Sequence, residues 1–420
     1  MHKNKVLLII IIAIISIQTA ISQNNTNSPY TRFGYGQLSD NTSGEQRAMG
    51  GVAIGARSPH RINTINPASY SVSDSLTFMF DLGVSAMLTN FSDNELRRNS
   101  KFNGNLEYLS MQFRLFKGVG MSAGVQPYSY AGYNFYSTDS VPMPGHSGEN
   151  TMIKYTDSYV GSGGINQFYV GLSFDLFNHF SLGANMYYMF GNYTNSGSKV
   201  ISASGNSPTN YTKAISISDT RFRFGLQYHD IFADKHELTI GAIYEPKVSL
   251  NNAQATSTHT SHIVEIDTLS ASDFDIPQSF GVGLYYKYNN KWSVGVDYSM
   301  QQWGDANFYG PKNDLIDSWK LAAGLEYQPN YRGRKFGDRI MYRVGANMSS
   351  PYYTIGGQNP EKNLGLSLGI GFPLQSTSRT MLNMAFEYSK IGPSEKLKED
   401  YFKFTFNFSL AETWFFKRKL

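Results

Sequence analysis

Two stretches carry the spacing that exposes a serine nucleophile in hydrolases, Gly120-x-Ser122-x-Gly124 and Gly365-x-Ser367-x-Gly369. That chemistry needs a sharp strand-to-helix turn beneath the serine. Both stretches lie instead inside runs of alternating residues, with their small side chains on one face of a strand. His259 and His262 stand three apart in a Ser/Thr-rich segment. Without a helix or neighbouring carboxylates they read as surface polarity and not as a metal site. His229-Asp230 falls at a turn, where solvated polar residues are the rule. The chain contains no cysteine, which removes thiolate metal sites, disulfides and a lipid-modified N-terminal cysteine. No catalytic residue, cofactor or metal ligand is assigned, and the sequence reads as non-enzymatic.

The elements that carry these residues repeat along almost the whole chain. In the first, Leu76, Phe78, Phe80, Leu82, Val84, Ala86 and Leu88 alternate with Thr77, Asp81, Gly83, Ser85 and Thr89. In the last, Phe402, Phe404, Phe406, Phe408 and Leu410 alternate with Lys403, Thr405, Asn407 and Ser409. A period of two puts each set on one face of a strand. Similar runs lie near 107–116, 119–135, 167–177, 180–190, 221–228, 237–250, 280–288, 292–303, 319–327, 340–348, 363–372 and 381–388. That makes about 14, an even number as single-chain bacterial barrels require. Tight turns fall at Lys117-Gly118, Asn178-His179 and Asn289-Asn290. The stretches 137–164, 192–213 and 251–275 are rich in Ser, Thr, Asn and Gly and read as long external loops. Short periplasmic and long external connections define the orientation, with both barrel ends in the periplasm.

Composition agrees with an all-β transmembrane antiparallel barrel. Aromatic residues make up 15% and charged residues 16%, against roughly 25% charged in soluble proteins. The mean hydropathy of -0.34 is what a barrel with a wet lumen gives. The net charge of +4 is small and dispersed, so nothing calls for nucleic acid. His2, Lys3 and Lys5, an apolar Val6 to Ile15 and the small-x-small Ala20-Ile21-Ser22 give residues 1–22 the form of a signal peptide. The remaining divisions are a hatch at 23–75, a barrel at 76–416 and a basic tail at 417–420.

The stretch from Arg47 to Tyr70 breaks the pattern. Gly50-Gly51, Gly55 and Asn66-Pro67-Ala68 mark compact irregular chain that supplies contents where the rest supplies wall. Arg221 and Arg223 share the inward face of one strand, facing either a ligand carboxylate or Asp/Glu across the lumen. Met79, Phe116, Tyr169 and Ile243 are apolar or aromatic residues on otherwise polar faces, suited to packing against the plug or lining a pocket.

Arg47-Ala48-Met49-Gly50-Gly51 followed by Asn66-Pro67-Ala68, ahead of about 14 strands, resembles the FadL/TodX outer-membrane transporters for hydrophobic compounds. The opening Ser28-Pro29-Tyr30-Thr31-Arg32-Phe33-Gly34 and the closing Trp414-Phe415-Phe416-Lys417-Arg418-Lys419 resemble its Bacteroidota branch. The resemblance implies a hatch shaped by Arg47, Gly50, Gly51, Asn66, Pro67 and Ala68. It also implies external capture of a hydrophobic ligand and sideways release to outer-membrane lipids through a kinked third strand. That strand here contains Gly124 and Pro127, and Pro127 removes a backbone donor in mid-run. A bulge that only adjusts twist is the plainer reading of the same residues.

Two functional classes follow. The favoured one is passive uptake of hydrophobic compounds, long-chain fatty acids or similar, by lateral diffusion through a wall gap. Its rival is a non-transporting barrel subunit or adaptor of an outer-membrane secretion or assembly complex, with a protein partner in that membrane.

Overall fold

The computed structural model describes residues 25–413 apart from 94–97, 145–149, 203–207, 234, 251–253, 261–263, 270–273, 309–313, 332, 375–379 and 393–396. The segment 1–22, read above as a signal peptide, the tail 417–420 and His262 lie outside the described residues. Fourteen antiparallel strands close into a barrel. They are β1 (Thr77–Ser92), β2 (Arg98–Phe116), β3 (Val119–Pro144), β4 (Asn150–Leu176), β5 (Phe180–Ile201), β6 (Thr209–Phe232), β7 (His236–Glu245), β8 (Ser279–Tyr288), β9 (Trp292–Gln301), β10 (Ser318–Tyr327), β11 (Met341–Ser349), β12 (Asn363–Pro373), β13 (Met381–Ile391) and β14 (Lys398–Thr413). The ring closes where Thr77 pairs with Thr413, at the end that holds the tight turns. Asn289 and Asn290 both have positive φ, 52° and 51°, the left-handed conformation that Asn tolerates in a two-strand turn.

Alternation decides which face is wet. In β1 Met79, Asp81, Ser85 and Met87 are buried, while Phe78, Phe80, Leu82, Val84 and Leu88 point outward. Phe168, Leu172, Phe222, Phe224, Val294 and Leu368 continue an exposed apolar belt around the barrel. Such a band is stable only against lipid, so this is a membrane-spanning barrel with a polar lumen.

Two expectations are corrected. The supposed external loops at 137–164 and 192–213 are largely strand. β3, β4, β5 and β6 run for 26, 27, 22 and 24 residues, about twice the 9–11 needed to cross a bilayer. Within 251–275 a hairpin, Gln254–Thr260 and Val264–Leu269, extends the sheet from β6. Thr and Ser tolerate strands well, so their abundance here marked an extended sheet and not loop. β7 to β13 have only 9 to 11 residues each. The barrel therefore stands tall on one side. The second correction is Phe116, which is 73% exposed at the end of β2, because an irregularity between Arg114 and Phe116 flips its face.

Candidate functional site

The hatch, residues 25–73, fills the lumen. It contains the short helix α1 (Gly44–Ala48), started by a capping box in which Ser43 and Gln46 satisfy each other's backbone N–H. The chain then reverses through Gly50 (φ 73°) and Gly51 (φ 93°), angles that other residues adopt only under strain. Asn66 caps a 3₁₀ turn over Pro67–Val72 by accepting from Ala68 N–H. Its amide also donates to the Ile54 carbonyl at 2.8 Å. Pro67 and Ala68 lie against β5, where a Cβ on Gly183 would collide with them.

The wall accommodates this plug by omission. Lumen-facing glycines recur where the hatch touches it, and three of them, Gly295, Gly324 and Gly345, are directly paired across β9, β10 and β11. A Cβ on Gly345 would fall on Gly50 N and Met49 C, and one on Gly120 would fall on the Tyr70 carbonyl. These glycines let two backbones approach without intervening side chains.

Buried charges fasten what the glycines admit. Arg47 donates to Glu107 at 2.8 Å, lies 3.8 Å from Glu387 and bonds the Thr42 carbonyl. Lys403 reaches the same Glu107 at 2.6 Å. Arg61 bridges Glu326 and Glu45 at 3.1 and 3.2 Å, and Arg343 from β11 joins Glu326 at 2.6 Å. Arg57 meets Asp175 at 3.2 Å near the periplasmic end, where Asp175 also contacts His229. His229 is thus half-buried in a latch and not a freely solvated turn residue. Asp297 accepts from Ala53 and Ile54 N–H at 2.6 and 2.7 Å. Burial, the largest single influence, would lower the Arg47 and Arg61 pKa values, but the surrounding carboxylates, led by Glu107 with Glu387 and by Glu326 with Glu45, together outweigh it and raise both. For Arg57 burial wins over Asp175 and brings it down to about 10.

The predicted lumen residues sort accordingly. Met79 packs against Ile62 of the hatch. Tyr169 bonds Ser122 at 2.9 Å. Ile243 lies beside Ile54. Arg221 and Arg223 both engage Glu245.

The wall has a seam. The β2–β3 ladder runs from Phe116–Val119 to Leu109–Val125 and stops. Above that level β2 remains paired to β1, and β3 to β4. Two irregularities flank the end of the ladder. On β2 an extra residue at Glu107 turns both Glu107 and Tyr108 inward. On β3 Pro127 lacks a donor, the register to β4 shifts at Tyr128, and every residue from Gln126 to Tyr133 is buried. This stretch is buried on both faces while it stays paired to β4. Gly124 lies just below, still paired to Ser110, with its missing side chain occupied by the Tyr169 ring.

The chain's own N-terminal segment occupies this seam, a role that the sequence did not suggest. Asn25 and Asn27 run up beside β2, bonded to Asn105 and Asn103 at 3.0 and 2.8 Å. Residues 29–32 form a 3₁₀ turn. Gln37 and Leu38 then run down beside β3, paired with Tyr130 and Ser129. Since β2 descends and β3 ascends, only an inserted pair of segments can be antiparallel to both. Residues 25–39 supply such an irregular hairpin. Behind them lies a chamber of about 110 Å³ lined by Asp40, Arg47, Glu107, Glu387 and Lys403. Larger cavities of about 380 and 450 Å³ lie on the side of the hatch away from the tight turns and on the side that faces them. The external mouth is packed with an aromatic cluster including Tyr30, Tyr35, Trp303, Tyr352 and Tyr353.

Fold, hatch and seam define a plugged, fourteen-stranded membrane barrel, a fold shared with solved FadL-type barrels. The toluene transporter TbuX of Ralstonia pickettii superposes with a TM-score of 0.59 at 15% identity, over 88% of this chain and 97% of that one. A FadL homologue from Pseudomonas aeruginosa gives 0.58 at 12% identity, over 88% and 97%. The toluene transporter TodX of Pseudomonas putida gives 0.52 at 16% identity, over 93% and 100%. No curated protein matches the sequence. The BamG family model matches residues 1–420, and the chain belongs to that family.

Proposed function

We propose that this protein works closed, as a barrel subunit of an outer-membrane secretion or assembly complex. The observation that carries this reading is the seam: its own residues 25–39 fill it, and a charged chamber stands behind them. An alkyl chain gains roughly 0.8 kcal/mol per methylene in an apolar site, and a passage beside Arg47, Glu107 and Lys403 forfeits that gain while desolvating buried ions. The hatch is tied to the wall by ion pairs on several sides, and the tall side of the barrel offers a partner an extended sheet. A shape that holds still and displays a surface suits a subunit better than a conduit.

A second reading is passive uptake of hydrophobic compounds such as fatty acids, with lateral release at Pro127. The fold shared with the toluene transporters favours it, as does a ladder that ends beside that proline. It requires residues 25–39 to leave the seam. The two separate in a Gram-negative host stripped of its own long-chain fatty-acid uptake, expressing this barrel and supplied with labelled oleate. The closed reading predicts uptake no faster than in the empty host. Faster uptake that falls when Pro127→Val restores a donor to β3 would establish transport instead.

A further inference from the structure

The tall side carries a surface whose chemistry changes abruptly with height. Along β5 the outward positions are Phe180, Leu182, Ala184, Met186, Tyr188 and Phe190, and then Asn192, Thr194, Ser196 and Ser198. β6 shows the same change, from Phe224 and Phe222 to Thr220, Ser218, Ser216 and Thr212. On β4 it falls between Phe168 and Asn166. Register aligns these positions into rows: Ser162, Thr194 and Ala214 form one, Val160, Ser196 and Thr212 the next, and Ser158, Ser198 and Asn210 a third. Neighbours bond across the strands, Ser196 with Thr212 at 3.2 Å, Ser216 to Asn192 at 2.6 Å and Thr138 with Thr156 at 3.4 Å.

No outward position of 134–140, 156–166, 192–198 or 210–220 is charged. Every ionic side chain in those stretches, Asp139, Asp157, Lys213 and Asp219, occupies the alternate, inward set, as does Lys199 next to them. A sheet face meant for water carries charge, for solubility and against edge pairing. This face is continuous with the lipid-facing belt below it, so what lies against it is the layer above the acyl chains. In an outer membrane that layer is the saccharide and phosphate of outer-leaflet glycolipid. Phosphate is held by Arg and Lys, and the outward set presents only one, Lys154 at the upper margin of the band beside Ser140. Neutral sugar hydroxyls both donate and accept, as Ser, Thr and Asn do. Rows about 4.8 Å apart across strands and about 6.7 Å apart along them are on the scale of a sugar ring.

We propose that the outward face of β3 to β6 above the apolar belt docks the neutral sugars of outer-leaflet glycolipid. The proposal needs the barrel to sit in an outer membrane and holds whether or not it conducts. The test is native mass spectrometry of the full-length barrel in mild detergent with three probes at equal concentration: lipopolysaccharide bearing its core sugars, lipid A alone, and phosphatidylglycerol. The expected result is core-bearing glycolipid retained roughly tenfold more than either other probe. Thr194→Val, Ser196→Ala, Thr212→Val and Ser216→Ala together should lower it to the lipid A level. These variants keep size and strand propensity, and unchanged heat-modifiability on gels confirms the barrel. Equal retention of lipid A, a variant that binds like the parent, or retention of none of the three would each overturn the proposal.

Discussion

Arg47→Ala releases the hatch while the barrel wall stays whole. The guanidinium lies buried between Glu107 and Glu387 and also holds the Thr42 carbonyl. Its removal leaves Glu387 without its cation in a low-dielectric interior, and Lys403 alone must then hold Glu107. Breaking one partner out of such a buried network costs about 3–5 kcal/mol. The energy falls on the hatch and not on the strands, whose ladders do not involve Arg47. Hydrogen exchange of amides 44–52 should accelerate by hundreds- to thousands-fold, and bilayer recordings should show ion conductance that the parent lacks. Arg47→Met combined with Glu387→Gln removes one charge from each side and keeps the Lys403–Glu107 pair, and should recover most of the protection. If the single variant exchanged like the parent, the ion pairs would not be what fastens the hatch.

Gly345→Val unseats the same hatch from the other direction. Valine is a better strand residue than glycine, so β11 gains locally. Its side chain, however, points at the reversal in the hatch, where even a Cβ would stand 2.7 Å from Gly50 Cα and closer still to Gly50 N and Met49 C. These are backbone atoms held by Ser367 and Asn347, so they cannot swing aside as a side chain would. Overpacking of this kind costs about 1–3 kcal/mol, and exchange at 44–56 should rise by one to two orders of magnitude with the wall unchanged. Gly337→Ala, where nothing lies within 4 Å of an added Cβ, serves as the neutral control. Equal effects of the two would show that the wall glycines are not fitted to the plug.

The wall was legible in the sequence because a two-residue period records which face meets lipid, and each of the fourteen runs became a strand. The heights of β3 to β6 were not. Ser, Thr and Asn serve both loops and polar sheets, and only cross-strand pairing tells them apart. In the hatch, Gly50-Gly51 and Asn66-Pro67 were readable from backbone chemistry alone. Their partners were not, since Glu107, Asp297 and Glu326 look like any inward polar residue of a strand. Pro127 announced a local break, but its consequence depends on a bulge at Glu107 and on residues 25–39, far away in sequence. The wall glycines were visible as composition. One signal in the sequence pointed to their use, namely that they fall repeatedly on inward positions of the strands.

Native mass spectrometry of the mature protein extracted from its own outer membrane in mild detergent tests the closed-subunit account most directly. The account predicts a barrel free of internal hydrophobic ligand, in stoichiometric complex with at least one other protein. A monomer that carries a defined hydrophobic compound, and loses it when Pro127 is replaced by valine, would contradict it.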